Sequence, residues 1–243
     1  MDSLWLFYPL LFTVAFLYAS VGHGGASGYL ALMALFSIAP EVMKPTALLL
    51  NLFVSLTAFI HYYRSKYFNW ALFWPFAAAS VPMAFAGGLV EVDAAMYKRI
   101  LGGLLLLPVA RFLVFRHQDN ITPEPAYLPL SLLIGGIIGF LSGLIGIGGG
   151  IILSPVLLLL KWSDQKQTAA ISALFIFVNS LSGLAGQMTK GIHFTPDMLV
   201  YVGVAFVGGF AGAYFGALRF RQQVLQYVLA AVLLVAAGKL LLV

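Results

Sequence analysis

The stretch SGLIGIGGGIILSP, Ser142 to Pro155, decides how this chain is read. Five glycines fall between Ser142 and Gly150, with apolar residues on either side. A phosphate-cradling loop in a soluble enzyme shares part of this pattern, and so does a helix broken inside a membrane. A Walker-type loop places a Lys and a Ser or Thr directly after its glycines, but Gly150 is followed by Ile151, Ile152 and Leu153. A dinucleotide fingerprint needs a soluble βαβ unit and an acid about 20 residues on. Here the next acid is Asp164, 14 residues past Gly150, and apolar runs flank the glycines. The broken helix is the reading that survives.

Composition points the same way. Of 243 residues, 62% are hydrophobic and 9% are charged, against about 25% charged in a soluble globular domain. So few charges cannot cover a water-facing surface, and the expected partner for most of this chain is the lipid bilayer. Leu4 to Ala19 lacks the positive n-region of a signal peptide and carries Asp2 before it, so it is expected to be a span. With no cysteine, disulfide and thiol chemistry are set aside. A net charge of +5 from 13 scattered Lys and Arg makes no nucleic-acid footprint.

Polar breaks divide the chain into six comfortable spans, at about 45–63, 70–90, 97–115, 167–188, 197–217 and 223–242. Every acid (Asp2, Glu41, Glu91, Asp93, Asp119, Glu124, Asp164, Asp197) lies at a break or near the chain start, because a charge in hydrocarbon costs several kcal/mol, on the order of 3 or more. No carboxylate is therefore expected at membrane depth as a proton or sodium site. Regions 4–39 and 127–161 differ from the other spans. Each has a glycine-bearing polar break near its middle, and the piece beyond it is marginal for a full crossing. Segments 27–39 and 150–161 are thus either short tilted helices or arms of re-entrant hairpins.

These two regions align with each other at an offset of 122 residues. MKPTALLLNLF from Met43 matches QKQTAAISALF from Gln165, pairing Lys44 with Lys166, Thr46 with Thr168 and Phe53 with Phe175. The same offset carries Ser20 onto Ser142, Gly24 onto Gly146 and Gly28 onto Gly150, so SVGHGGASG is the first-half version of SGLIGIGGG. The expected fold is an all-α polytopic membrane protein of two homologous halves, residues 1–122 and 123–243. Each half has a glycine-broken helix or re-entrant hairpin followed by three spans.

Basic residues suggest how the halves are oriented. With an odd number of crossings per half, Arg64, Lys66, Arg111, Arg116, Lys161, Lys166, Arg219 and Arg221 share one side. The other side holds Lys44, Lys98, Arg99, Lys190 and Lys239. Eight against five favours inverted halves with the larger group cytoplasmic. Both chain ends then face away from the cytoplasm.

A broken helix leaves N–H groups unpaired at the start of its second part, and with the helix dipole they attract an anion without any charged side chain. Such backbone is tolerated at membrane depth only where it lines a cavity or is buried in protein. Close helix packing accounts for Gly135, Gly136, Gly208, Gly209 and Gly212, and less well for the run Gly143, Gly146, Gly148, Gly149, Gly150. The substrate site is therefore expected at Ser20, His23, Gly24, Gly25, Ser27, Asn51, Ser142, Gly146, Gly148, Gly149, Gly150 and Asn179. Thr46, Thr168, Ser172, Ser180 and Gln187 supply further polar groups on the spans that follow. His23 is the one titratable group expected at depth, a ligand donor or proton carrier; protons borne by the substrate are the alternative. Neither a metal nor a cofactor is called for, no enzyme motif is present, and no oligomeric state, monomer or homodimer, is indicated.

The second half, SGLIGIGGGIILSPVLLLL followed by QTAAISALFIFVNSLSGLAG, resembles the TauE/SafE family of membrane permeases, the sulfite exporter family. The likeness is strongest over Ser142–Gly186 and weaker over Ser20–Thr57, where GHGGASG replaces the denser glycine pattern. It implies a compact, multi-pass protein of the cell inner (cytoplasmic) membrane that moves a small sulfur-containing anion, such as sulfite, sulfoacetate or another sulfonate. It also implies substrate contacts at Gly22–Gly28 and Gly146–Gly150, with Asn179 after the second motif. A secondary transporter working by alternating access is the expected activity, with an anion channel or a non-transporting assembly protein as alternatives.

Overall fold

The computed structural model describes residues 3–20, 25–114, 123–192, 195–219 and 222–242. Its described residues form ten α-helices and no strand. The first half supplies α1 (Ser3–Ser20), α2 (Ala26–Leu35), α3 (Pro40–Arg64), α4 (Trp70–Leu89) and α5 (Ala94–Val114). The second supplies α6 (Leu128–Ile145), α7 (Gly150–Leu159), α8 (Gln165–Met188), α9 (Pro196–Arg219) and α10 (Gln222–Leu242). Both long regions with a mid-point break thus resolve into a long helix and a short one. At 1.5 Å per residue, the ten residues of α2 or α7 cover about 15 Å, half of the ~30 Å hydrocarbon thickness. Among the described residues, four helices, α3, α4, α6 and α8, are by length and composition long and apolar enough to cross a membrane.

The halves interlock rather than pack as two blocks. Helix α1 lies on α9, and α4 lies on α6 and α8, while α3 packs on α8 and α5 on α10. Two of these seams run parallel and use the same device. Along α4–α6, a Cβ at Gly135 would stand 2.5 Å from Phe76 O, and one at Gly139 2.5 Å from Ser80 Cα. Gly143 faces Ala84 O in the same way. Along α1–α9, Gly208 and Gly212 face the carbonyls of Phe12 and Phe16. Lipid offers these helices no hydrophobic reason to associate, so close backbone approach through small residues supplies the packing. Gly135, Gly208 and Gly212 are packing glycines, as their spacing suggests. Gly143 belongs with them and not with the break.

Helices α3 and α8, the pair matched in the sequence repeat, run antiparallel. Lys166 at the start of α8 donates to Tyr67 Oη just past the end of α3, at 3.2 Å. Farther along, Asn51 meets Ser180 across Gly148, and Leu48 lies 3.6 Å from a Cβ built on Gly183. The matched lysines therefore stand at opposite ends of the bundle. Each lies over a tyrosine ring, Lys44 over Tyr97 at 4.9 Å and Lys166 over Tyr67 at 5.0 Å. Tyr63, Tyr67 and Trp70 are exposed near the α3–α4 turn, where interface aromatics belong.

Candidate substrate site at the second helix break

Helix α6 stops at Gly146, whose φ of +87° closes the last turn with its N–H donating to Ser142 O at 2.8 Å. Gly148 and Gly149 follow at φ +76° and +78°. Three left-handed residues in four reverse the chain, and only glycine takes this backbone without strain. Two side chains satisfy the carbonyls that the end of α6 leaves over. Tyr97 Oη donates to Ile145 O at 2.9 Å, and Gln187 Nε2 to Gly143 O at 3.4 Å.

The reversal brings the chain back to the middle of the bundle. Gly146 lies against the backbone of Lys44, near the start of α3. Gly148 reaches Asn51, midway along α3, and Ile176 and Ser180 on α8. Gly149 lies against Ile138, midway along α6, and Phe175. Gly150 lies against Ile176 and Ser172 O. Since three long helices meet the break near their midpoints, α7 starts at mid-depth. Its N-cap, Gly149, has no side chain to cap the first N–H groups of the helix.

Several buried polar atoms on α3, α6 and α8 lack partners among the described residues. Both amide atoms of Asn51, Oδ1 of Asn179 and the hydroxyls of Ser142 and Ser180 are buried without a hydrogen bond among the described residues. Buried polar atoms are overwhelmingly paired in proteins, and each one left alone costs about 1–3 kcal/mol. Asn179 Nδ2 is accounted for, since it donates to Phe175 O at 2.8 Å. Ser172 is also paired, with Ser154 Oγ at 2.8 Å.

The first break is built differently. Gly25 is the N-cap of α2, and a Cβ there would strike the Tyr29 ring. Ser27 is buried and shares a 2.8 Å hydrogen bond with Tyr18 Oη, and Gly28 lies against the same Tyr18 ring and Val14. Tyr29 Oη is buried without a hydrogen-bond partner among the described residues. Ser20 ends α1; His23 and Gly24 lie outside the described residues. Of the expected site residues, the structure thus gathers Asn51 and Gly148 with Ser180, places Gly149 and Gly150 beside them on largely apolar neighbours, and ties Ser27 to α1. Tyr18 and Tyr29 carry no sequence signal, being two aromatic residues among many in apolar runs. Ser180 is legible as polar, but the contact that singles it out depends on the fold.

Comparison with known proteins bears on the whole chain. Residues 7–240 match the family described as sulfite exporter TauE/SafE. A probable membrane transporter protein of Sinorhizobium fredii is 36% identical over 237 residues, 95% of each chain. One of Methanocaldococcus jannaschii is 30% identical over 197 residues, covering 76% of this chain and 73% of its own. A sulfite exporter TauE/SafE family protein of Arabidopsis thaliana is 25% identical over 124 residues, 51% of this chain and 25% of its own. No solved structure matches the chain.

Proposed function

Given that the chain belongs to the sulfite exporter TauE/SafE family of membrane transporters, we propose that it carries a small oxyanion, sulfite or an organosulfonate such as sulfoacetate, by alternating access. The observation that carries this reading is the meeting of Asn51 and Ser180, both with unpartnered polar atoms, at Gly148 beside the mid-depth start of α7, with further unpartnered atoms on Ser142 of α6 and Asn179 of α8. A small oxyanion is rich in acceptors. It suits amide and hydroxyl donors at a helix N-terminus, whose dipole favours negative charge.

The proposed site residues remain Ser20, His23, Gly24, Gly25, Ser27, Asn51, Ser142, Gly146, Gly148, Gly149, Gly150 and Asn179, with Ser180 added. Antiparallel α3 and α8 support inverted halves, residues 1–122 and 123–243, hinging about this level in the manner of many secondary carriers. Coupling rests with His23 or with protons that the substrate itself bears. The proposed location is the cell inner (cytoplasmic) membrane.

The test is flux into proteoliposomes of labelled sulfite, sulfate, sulfoacetate, taurine and a carboxylate, with and without a pH gradient. Saturable uptake with counterflow of a sulfur oxyanion is the expected result. Unsaturable flux at high rate would mark a channel, and no flux of any of them would sink the reading.

A further inference from the structure

We propose that this site selects a singly charged oxyanion carrying its own hydrogen-bond donor, so that sulfite is carried as hydrogensulfite and its proton travels with it. The inference rests on the transporter reading above and narrows its substrate class.

Charge is the first argument. The unpartnered polar groups are neutral: Asn51 and Ser180 at Gly148, Ser142 on α6 and Asn179 on α8, which are 1%, 0%, 0% and 0% exposed. Helices α4, α6 and α7 contain no Asp, Glu, Lys, Arg or His, and α8 has none between Lys166 and its end. The nearest cation along α3 is Lys44, about two turns outward from Asn51, and its ammonium lies over the Tyr97 ring. The buried titratable groups of the core that includes Ile145 and Ile147 are the tyrosines Tyr18, Tyr29, Tyr97 and Tyr201, of which Tyr97 donates to Ile145 O. His23 lies outside the described residues. The cost of taking an ion out of water rises with the square of its charge, so a dianion needs about four times the compensation of a monoanion. Neutral dipoles and one helix start suit the monoanion.

Acceptors are the second argument, and it is independent of charge. Asn179 Nδ2 donates to Phe175 O, which fixes the orientation of that amide and leaves Oδ1 facing away from a carbonyl as a pure acceptor. Asn179 lies three residues from Ile176 and next to Ser180, the two α8 residues that meet Gly148. Asn51 Oδ1 is a second unpartnered acceptor. A fully ionised oxyanion offers these oxygens only repulsion, whereas a protonated one donates to them. The site thus holds donors for the anion's oxygens and acceptors for its proton.

The experiment varies total sulfite at each of several pH values spanning the range where hydrogensulfite ionises and measures initial uptake, with protein-free vesicles subtracted, for the full chain and for His23→Ala and Asn179→Leu. The KM stated as hydrogensulfite should stay constant, while the KM stated as total sulfite rises about tenfold per pH unit above that ionisation. Sulfate should not compete. In His23→Ala the hydrogensulfite KM, whatever its value, should stay independent of pH, and Asn179→Leu should raise the hydrogensulfite KM about tenfold at every pH. A KM in total sulfite that ignores pH, equal competition by sulfate, or a pH response that vanishes in His23→Ala would overturn the proposal while leaving transport intact. Absence of sulfur-oxyanion flux at every pH would remove the transporter reading and this proposal together.

Discussion

Asn51 and Ser180 approach Gly148 from two antiparallel helices, so closely that a single methyl group there would stand 2.7 Å from one side chain and 3.1 Å from the other. The relationship explains why the glycine run is dense at this point: the backbone needs a left-handed turn, and the space beside it is occupied by polar atoms in want of partners.

Gly148→Ala should therefore abolish transport while the protein still reaches the membrane folded. The methyl meets Asn51 Nδ2 and Ile176 Cγ2 below 3.0 Å, in a backbone conformation that costs an L-residue about 1–2 kcal/mol. A drop in flux of at least about a hundredfold is expected if the misplaced groups contact the substrate. Gly148→Leu and Gly149→Leu should behave likewise. Flux near wild type in Gly148→Ala protein would remove this break from the substrate path.

Stability should respond to glycines elsewhere in opposite directions. Gly139→Ala drives a methyl into the backbone of Ser80 and should destabilise the α4–α6 seam by about 1–3 kcal/mol. Gly203→Ala, on α9, meets no described atom within 4 Å and should gain up to about 1 kcal/mol from helix propensity. Thermal unfolding in detergent distinguishes the two, and equal shifts would contradict the seam.

Lys44 stands at the outer end of the break, beside Gly146. Replacing it with Gln should raise the KM for the anion several-fold without lowering kcat, because a cation at the entrance raises local anion concentration and the approach rate. The difference between Lys44→Gln and wild type should shrink as salt rises. An unchanged KM at low salt would show that the anion enters elsewhere.

Lys239, in the last turn of α10, donates to Leu35 O at 2.6 Å, Ala34 O at 3.4 Å and Ser37 Oγ at 3.2 Å, tying down the end of α2. Hydrogen bonds from a charged donor contribute about 1.5–3 kcal/mol each. Lys239→Met should raise amide exchange across residues 34–38 by at least tenfold and leave α4 and α6 protected. Exchange unchanged in that segment would mean that α2 is held by its apolar faces alone.

Much of this architecture was legible in the residues themselves. Hydrocarbon excludes charge, so the positions of Glu41, Glu91, Asp164 and Lys190 mark helix ends without reference to any contact. A ten-residue apolar piece cannot span the bilayer, so α2 and α7 were separable by length alone. The glycine run Gly146–Gly150 required a break, because no helix tolerates that density. Repeated pairs such as Lys44 and Lys166 pointed to duplicated halves, and each of these two lysines lies over a tyrosine ring, Tyr97 and Tyr67.

Two things were decided only by the tertiary structure. One was which glycines pack and which turn: Gly143 and Gly146 look alike in sequence, yet one lies on the Ala84 carbonyl and the other takes a left-handed cap beside Lys44. The other was the gathering of Asn51 with Ser180. Local sequence sets where the chain can be helical and where it must bend, because backbone geometry and solvation act on each residue separately. Which polar atoms end up facing one another, 129 positions apart, depends on how helices from both halves cross, and that is settled only when they pack.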